Sequence, residues 1–86
     1  MLWEGEHIVA QKTVTVIIVD IVFNPGTEVY RTNYQLKFSD GTWLITESLS
    51  IVESSLKIGH SYNLSLMKKR AYINWFITNV TEVQTP

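Results

Sequence analysis

The chain of 86 residues has no cysteine, two prolines and four glycines. The absence of cysteine excludes disulfide bonds, thiolate nucleophiles and sulfur-ligated zinc, so the fold has to be stabilised by packing. The longest apolar run, residues 14–23, is about half of the roughly 20 residues that a membrane-spanning helix requires, and it contains Asp20. The first six residues lack the basic segment and apolar core of a signal peptide, which leads us to expect a cytoplasmic protein with no membrane partner.

The residues that are present have the composition of a folded domain. Apolar residues make up 45% of the chain and charged residues 17%. The ten aromatic side chains (three Trp, four Tyr, three Phe) have to be packed in a core or used in binding. A chain of this size buries roughly 60% of its unfolded surface, which is enough for one modest core. We therefore expect a single domain over residues 1–86.

Charge is segregated along the chain although the formal net charge is only −1. Four of the seven basic residues fall between Glu53 and Glu82, an interval without any acidic residue: Lys57, Lys68, Lys69 and Arg70. Long-range attraction of an anion depends on the summed field of the protein, and here that field is weak. Any binding of an anionic partner has to be local.

The first half of the chain predicts three β-strands. Val, Ile and Thr dominate residues 13–23, which favours a strand that Asp20 interrupts at a bulge and that a turn at residues 24–26 ends. Residues 29–38 alternate, with Tyr30 on the core side and four polar residues on the outer side: Arg31, Asn33, Gln35 and Lys37. A two-residue turn at residues 40–41 then places Trp43 and Ile45 in the core and their neighbours Leu44 and Thr46 outside.

The second half predicts a short helix and a hairpin. Ser50 and Glu53 have the spacing of a capping box, and Gly59 suits a left-handed helix end, so a helix of about two turns is expected. Strands over 62–67 and 72–83 follow, joined by a basic turn at residues 68–70. Their inward residues are expected to be Tyr62, Leu64, Leu66, Trp75 and Ile77, with a bulge after Ile77 because the apolar spacing changes there.

Three strands, one short helix and two strands make up the chain order of the oligonucleotide/oligosaccharide-binding barrel, the OB-fold. The sequence resembles that family in Gly59-x-x-Tyr62-x-Leu64, in the basic turn, and in Trp75-x-Ile77-x-x-Val80-x-x-Val83. The fold class expected is therefore mainly β, a five-stranded OB-like barrel with one short helix between strands 3 and 4. An SH3-like small barrel is the alternative, and in it the helix would shrink to a single turn.

The resemblance implies a binding face on the outer surfaces of strands two and three, bordered by the loops that join strands one to two and four to five. Cations for phosphates and rings for bases are what single-stranded nucleic acid requires, and every base offers a face for stacking. We therefore expect binding of single-stranded DNA or RNA with little sequence specificity. The predicted phosphate contacts are Arg31, Lys37, Lys68, Lys69 and Arg70, and the predicted stacking rings are Tyr72 and Phe76.

Simpler roles exist for the same residues. A basic triplet at a hairpin tip also improves solubility, and tryptophans such as Trp43 and Trp75 are more often core than ligand platforms. The alternative function is a protein-interaction or assembly module, for example a homo-oligomer, in which Tyr72, Phe76 and a free strand edge pair with a second chain. Trp3 fits either packing against the barrel or contact with a partner.

The sequence contains no recognisable catalytic or metal-binding pattern. His7 and His60 are isolated from each other and from carboxylates at metal-ligand spacing, and no nucleophile stands beside a base. We therefore expect no enzymatic activity, no cofactor and no metal.

Overall fold

The structure is a computed structural model that describes residues 4–84, so Trp3 lies outside the described residues. A 3₁₀ turn at Glu4–Glu6 is followed by five strands and one helix, in this order: β1 (Ile8–Asn24), β2 (Asn33–Phe38), β3 (Trp43–Thr46), α1 (Leu49–Ser55), β4 (Ser61–Lys69) and β5 (Phe76–Glu82). The strands form one antiparallel sheet in the order β3-β2-β1-β4-β5. The predicted mainly-β class, with one short helix between the third and fourth strands, is confirmed. Within residues 4–84 there is no helix with the length and apolar character needed to cross a membrane.

Strand β1 is 17 residues long and pairs with two neighbouring strands. Its first half, from Ile8 to Ile17, pairs with β4, and its second half, from Ile18 to Asn24, pairs with β2. The register shifts between Ile18 and Asp20, which confirms the predicted interruption at Asp20. A bulge bends a strand and increases its twist, so β1 can leave one partner and join another at this point.

The core is formed by alternate residues of the strands and is closed at one end by α1. The buried apolar side chains are Ile18, Leu36, Phe38, Leu44, Val52, Leu56, Tyr62, Leu64, Leu66 and Ile77. The predicted inward positions on β4 and at Ile77 are thus confirmed, and Trp75 packs against this core while half-buried. The Tyr62 hydroxyl, deep in the core, accepts a hydrogen bond of 2.8 Å from the backbone N–H of Lys57.

The predicted start of the second strand was wrong. Strand β2 begins at Asn33, and residues 25–32 form a loop in which Tyr30 is 68% exposed. The Thr27 hydroxyl accepts hydrogen bonds from the backbone N–H groups of Val29 and Tyr30, and the N–H of Thr27 donates to the carbonyl of Tyr30. These local bonds hold the backbone in a turn, which overrides the apolar alternation. Arg31 consequently lies in the loop and not on the outer face of a strand.

The predicted hairpin register between the second and third strands was wrong by one residue. Lys37 pairs with Trp43 and Leu36 with Leu44, so the loop contains three residues, 39–41, and not two. Gly41 takes a positive φ of 88°, which is the geometry of a type I turn followed by a left-handed residue. The slip exchanges the two faces of β3. Leu44 and Thr46 are buried, whereas Trp43 is 49% exposed and Ile45 37% exposed.

The predicted capping box does not form. Helix α1 begins at Leu49 with Ser48 at its N-cap, and the Ser48 hydroxyl accepts a hydrogen bond of 2.7 Å from the backbone N–H of Ile77 instead of capping the helix. Glu53 accepts from the Tyr34 hydroxyl at 3.1 Å. The helix has seven residues, about two turns as expected. Gly59 has the predicted positive φ, 91°, but it lies in the turn before β4 and not at the helix end.

Strands β4 and β5 are arranged differently from the predicted tight hairpin. Lys68 and Lys69 belong to the end of β4, and residues 70–75 form the connecting loop, so the predicted turn at residues 68–70 was wrong. The predicted bulge after Ile77 is confirmed, since the register shifts where Leu66 pairs with Ile77 and Ser65 pairs with Asn79.

The two outer strands of the sheet approach each other at one point. Thr46, at the end of β3, forms a parallel bridge with Trp75, just before β5. The backbone N–H of Trp75 donates to the carbonyl of Ile45, and the N–H of Glu47 donates to the carbonyl of Trp75, both at 3.3 Å. This contact brings the loop at residues 70–75 beside β3.

The observed register predicts which residues of β3 stabilise the fold. Leu44→Ala should lower the free energy of unfolding by about 2–4 kcal/mol, because it leaves a cavity in the core. Ile45→Ala, on the opposite face of the same strand, should cost less than about 1 kcal/mol. Urea unfolding followed by tryptophan fluorescence measures both values. A larger loss for Ile45→Ala than for Leu44→Ala would contradict the three-residue hairpin.

The hairpin turn also predicts a local pH dependence. The Thr42 hydroxyl and the Thr42 backbone N–H donate to the Asp40 carboxylate, and these bonds hold the pKa of Asp40 below its ordinary value of 3.8. Because the folded-state pKa is lowered, this contribution to stability is complete above pH 3.8 and is lost as the pH falls through the folded-state pKa. In an NMR titration, Thr42→Val should raise the Asp40 pKa, while Thr42→Ser should keep it low. Equal pKa values in the two variants would rule out the hydroxyl as the main cause.

Candidate functional site

The seven residues predicted to form the site divide between two neighbouring clusters. The first, which we call the tyrosine cluster, contains Arg31, Lys69, Arg70, Tyr72 and Phe76. The other two predicted residues, Lys37 and Lys68, instead contact the rings of Trp43 and Trp75. We call the surface formed by Lys12, Lys37, Trp43, Lys68 and Trp75 the tryptophan face.

In the tyrosine cluster, two rings pack edge to face and cations cover them. The ring centroids of Tyr72 and Phe76 are 5.0 Å apart with an interplanar angle of 82°. The Arg31 guanidinium lies 4.8 Å from the Tyr72 centroid, and the Lys69 ammonium lies 4.7 Å from the Phe76 centroid. Both rings are half-buried. Their faces are therefore already in contact with other side chains of the chain itself.

The acidic 3₁₀ turn at Glu4–Glu6 neutralises much of the charge in this cluster. The Lys69 ammonium pairs with one carboxylate oxygen of Glu6 at 2.8 Å, and the Tyr72 hydroxyl donates to the other at 3.1 Å. Arg70 pairs with Glu4. The backbone N–H of Arg70 also donates to the carbonyl of His7, which fixes the acidic turn against the loop at residues 70–75. The charged groups of the tyrosine cluster are therefore largely engaged in contacts within the chain, unlike those of a hairpin tip that is free to bind a ligand.

The tryptophan face begins on the outer surface of β2 and β3. Lys37 and Trp43 are direct partners across the two strands, and the Lys37 ammonium lies 5.4 Å from the Trp43 ring centroid. This distance is within the range of a cation–π contact. On the β1 side, Lys37 pairs with Asp20 in the strand register. The Asp20 carboxylate accepts a hydrogen bond of 2.9 Å from the backbone N–H of Ile21.

The second half of the tryptophan face lies where β1 and β4 extend beyond β2. Lys12 continues the row of inward positions that includes Val14, and Lys68 continues the row that ends in Leu66. Both ammonium groups lie over the Trp75 ring, at 4.6 Å for Lys12 and 6.0 Å for Lys68. Within residues 4–84, neither lysine forms an ion pair.

The two tryptophans line one shallow depression of about 280 Å³. Lys12, Ile45, Ile73 and Asn74 are among its other lining residues, and Ile73 is 80% exposed. The described lining contains no carboxylate. Aromatic planes, aliphatic side chains and lysine charges without acidic partners therefore lie together on one surface.

Sequence reasoning missed Lys12, Trp43 and Trp75 as site residues. Lys12 precedes the strand that was predicted to begin at Thr13, although it shares the parity of Val14 and could have been found by extending the alternation. Trp43 was placed in the core by the wrong hairpin register. Trp75 was placed inside correctly, but its half-exposed position under two lysines arises only when β1 and β4 lie side by side.

This arrangement is suited to binding an anionic polymer that carries planar rings. An aromatic side chain that remains accessible provides a stacking surface worth about 1–3 kcal/mol per base, and an unpaired lysine beside it provides a phosphate contact. Comparisons with protein-family models, with curated proteins and with solved structures gave no match, so the function of the chain has to be argued from this geometry.

Proposed function

We propose that the chain is an OB-like barrel that binds single-stranded nucleic acid through the tryptophan face, with little sequence specificity. The observation that carries the proposal is the placement of three lysines, none of them in an ion pair within residues 4–84, over two tryptophan rings, of which Trp43 is 49% exposed. This surface contains two of the residues expected from the sequence, Lys37 and Lys68, and adds Lys12, Trp43 and Trp75.

The connectivity supports the barrel in this proposal. The sheet order leaves β3 and β5 as outer strands, and the parallel bridge between Thr46 and Trp75 joins their ends. Helix α1, which lies between β3 and β4 in chain order, places Val52 in the core, and Leu56, directly after the helix, is also buried there. An OB-fold is a partly open five-stranded barrel, and a single bridge between its last two edges is compatible with that description. A helix of two turns favours this fold over the SH3-like alternative.

The charges support contacts with phosphates and imply a moderate affinity. Three lysines that neutralise one phosphate each would give a slope of about −2 in log K against log salt for a single strand. The formal net charge of −1 provides little long-range attraction. Lys69 and Arg70 should contribute less than the sequence suggested, because Glu6 and Glu4 already balance their charges.

A second candidate, an assembly module, is favoured by one specific feature of β1. Over residues 9–16 the strand pairs with β4 on one side, and its pairing with β2 begins only at Ile18. Ile8 and Val9, near this edge, are 52% and 51% exposed. An unpaired strand edge with apolar side chains can pair with the same edge of a second copy.

The lysines of the tryptophan face are the first test of binding. Lys12→Ala and Lys68→Ala should each weaken binding of a thymine oligomer of about 12 nucleotides and should reduce the magnitude of the salt slope by about 0.7. Tryptophan fluorescence titrated at low and high salt gives both quantities. Lys57→Ala, which removes the same charge from an exposed position beyond α1, is the matched control.

Equal weakening by Lys57→Ala would show that only the total charge matters and would contradict a localised site. If the oligomer causes no response at low salt while light scattering shows a concentration-dependent dimer, the assembly module is favoured.

The exposed tryptophan is the second test. Trp43→Ala should reduce the binding free energy by about 1–3 kcal/mol through the loss of one stacking surface. Its effect on the free energy of unfolding should be small, because the side chain is 49% exposed. Trp43→Phe should retain much of the affinity. Fluorescence anisotropy of a labelled oligomer measures binding independently of the missing tryptophan, and unchanged affinity in Trp43→Ala would exclude stacking at this residue.

A further inference from the structure

A second, smaller pocket lies beside the tryptophan face, between the loop at residues 25–32 and the loop at residues 70–75. It has a volume of about 170 Å³, well below the roughly 300–1,000 Å³ of pockets for drug-sized ligands. We call it the loop pocket. The lining residues that matter here are Arg31, Asn33, Glu47, Tyr72 and Asn74.

Glu47 gives the loop pocket a distinctive chemistry. Its carboxylate oxygen Oε2 is buried, and it has no hydrogen-bond partner within residues 4–84. A buried acceptor without a partner costs about 1–3 kcal/mol, and more when it is charged. The residue is held in place through its backbone, since its N–H donates to the carbonyl of Trp75 at the bridge between β3 and β5. Because Oε2 has almost no accessible surface, a ligand that donates a hydrogen bond relieves this cost only when the Glu47 carboxylate turns toward the loop pocket.

The surroundings of Glu47 favour a neutral donor over a cation. Arg31 lines the same pocket and lies over the Tyr72 ring, so a ligand ammonium group would meet a like charge. A neutral amino group attached to a phosphate-bearing chain avoids this repulsion, because the amino group can face Glu47 while a phosphate contacts Arg31. This combination is found in a nucleotide whose base carries an exocyclic amino group.

Asn74 provides a second point of recognition. Its side-chain amide makes no hydrogen bond within the described part of the chain and can donate to a ring nitrogen. Asn33, by contrast, is already held, since it accepts from Asn24 at 2.8 Å and donates to the carbonyl of Arg31 at 3.1 Å. The loop pocket thus has a fixed wall, a free acceptor at Glu47 and a free amide at Asn74.

We propose that the loop pocket binds a cytosine base of the single strand, with Glu47 accepting from the cytosine N4 amino group and Asn74 donating to N3. Acidic side chains that accept from cytosine N4 are a recurrent form of base readout. The small volume favours a pyrimidine over a purine. Thymine presents the O4 carbonyl where cytosine has its amino group, so it would bring an acceptor against the carboxylate.

The loop pocket is continuous with the tryptophan face, and this inference rests on the proposed function of that face. Ile73 and Asn74 line both the loop pocket and the depression between Trp43 and Trp75. A strand that stacks on the tryptophans can therefore place a neighbouring base in the loop pocket. The tryptophan face supplies binding without sequence preference, and the loop pocket adds a preference for cytosine at one position.

The test compares cytosine and thymine oligomers of about 12 nucleotides, within the site sizes of single small barrels. Fluorescence anisotropy with labelled oligomers at neutral pH and low salt should show about tenfold tighter binding of the cytosine oligomer to the unaltered chain. Glu47→Gln should reduce this ratio to within about twofold, because an amide can pair with either base. Glu28→Gln, which removes the same charge from an exposed residue outside the described lining of the loop pocket, should keep the ratio.

The outcomes separate the two proposals. Equal affinity of the unaltered chain for both oligomers overturns the cytosine preference and leaves the tryptophan face intact. A preference that persists in Glu47→Gln, or that is lost equally in Glu28→Gln, overturns the role of Glu47. Failure of both oligomers to bind overturns the proposed function, and the cytosine preference with it.

Discussion

The division of β1 between two partners is the constraint on which the rest of the structure depends. Ile18, fully buried, lies at the change of partner, and its backbone N–H and carbonyl are bonded to the turn before β4, to His60 and Gly59. The bulge that follows releases the strand from β4 and directs it along β2. Because one continuous strand joins the two halves of the sheet, Lys12 on its first half and the β2–β3 hairpin on its second half border the same depression.

Acidic residues determine which basic residues are left without an ion-pair partner in the described part of the chain. Glu4 and Glu6 balance Arg70 and Lys69, which are the most conspicuous cations in the sequence. The tryptophan face has no such partners among the described residues, and its lysines lie against rings instead. A nearly neutral chain can in this way present a local cationic surface, because opposite charges are paired elsewhere on the molecule.

The proposed binding surface combines regular and irregular backbone. Trp43 and Lys37 are held by strand pairing, whereas Trp75 and Glu47 are positioned by the single bridge that joins the two outer strands. The loop at residues 70–75 contributes to both the tryptophan face and the loop pocket. The rings, proposed to bind without sequence preference, and the buried acceptor, proposed to prefer cytosine, thus lie side by side, and separate substitutions can test the two proposals.

The sequence by itself determined the strand-rich class, the inward positions of β4, the interruption at Asp20 and the bulge after Ile77, because alternation, β-branched residues and changes of spacing are local signals. Tertiary structure decided what local signals do not encode. The hairpin register, with its three-residue loop, moved Trp43 from the core to the surface, and the hydrogen bonds of Thr27 removed Tyr30 and Arg31 from a strand. The pairing of Lys69 with Glu6 and the meeting of Lys12 with Trp75 join residues more than sixty positions apart, and only the folded chain brings such residues within contact distance.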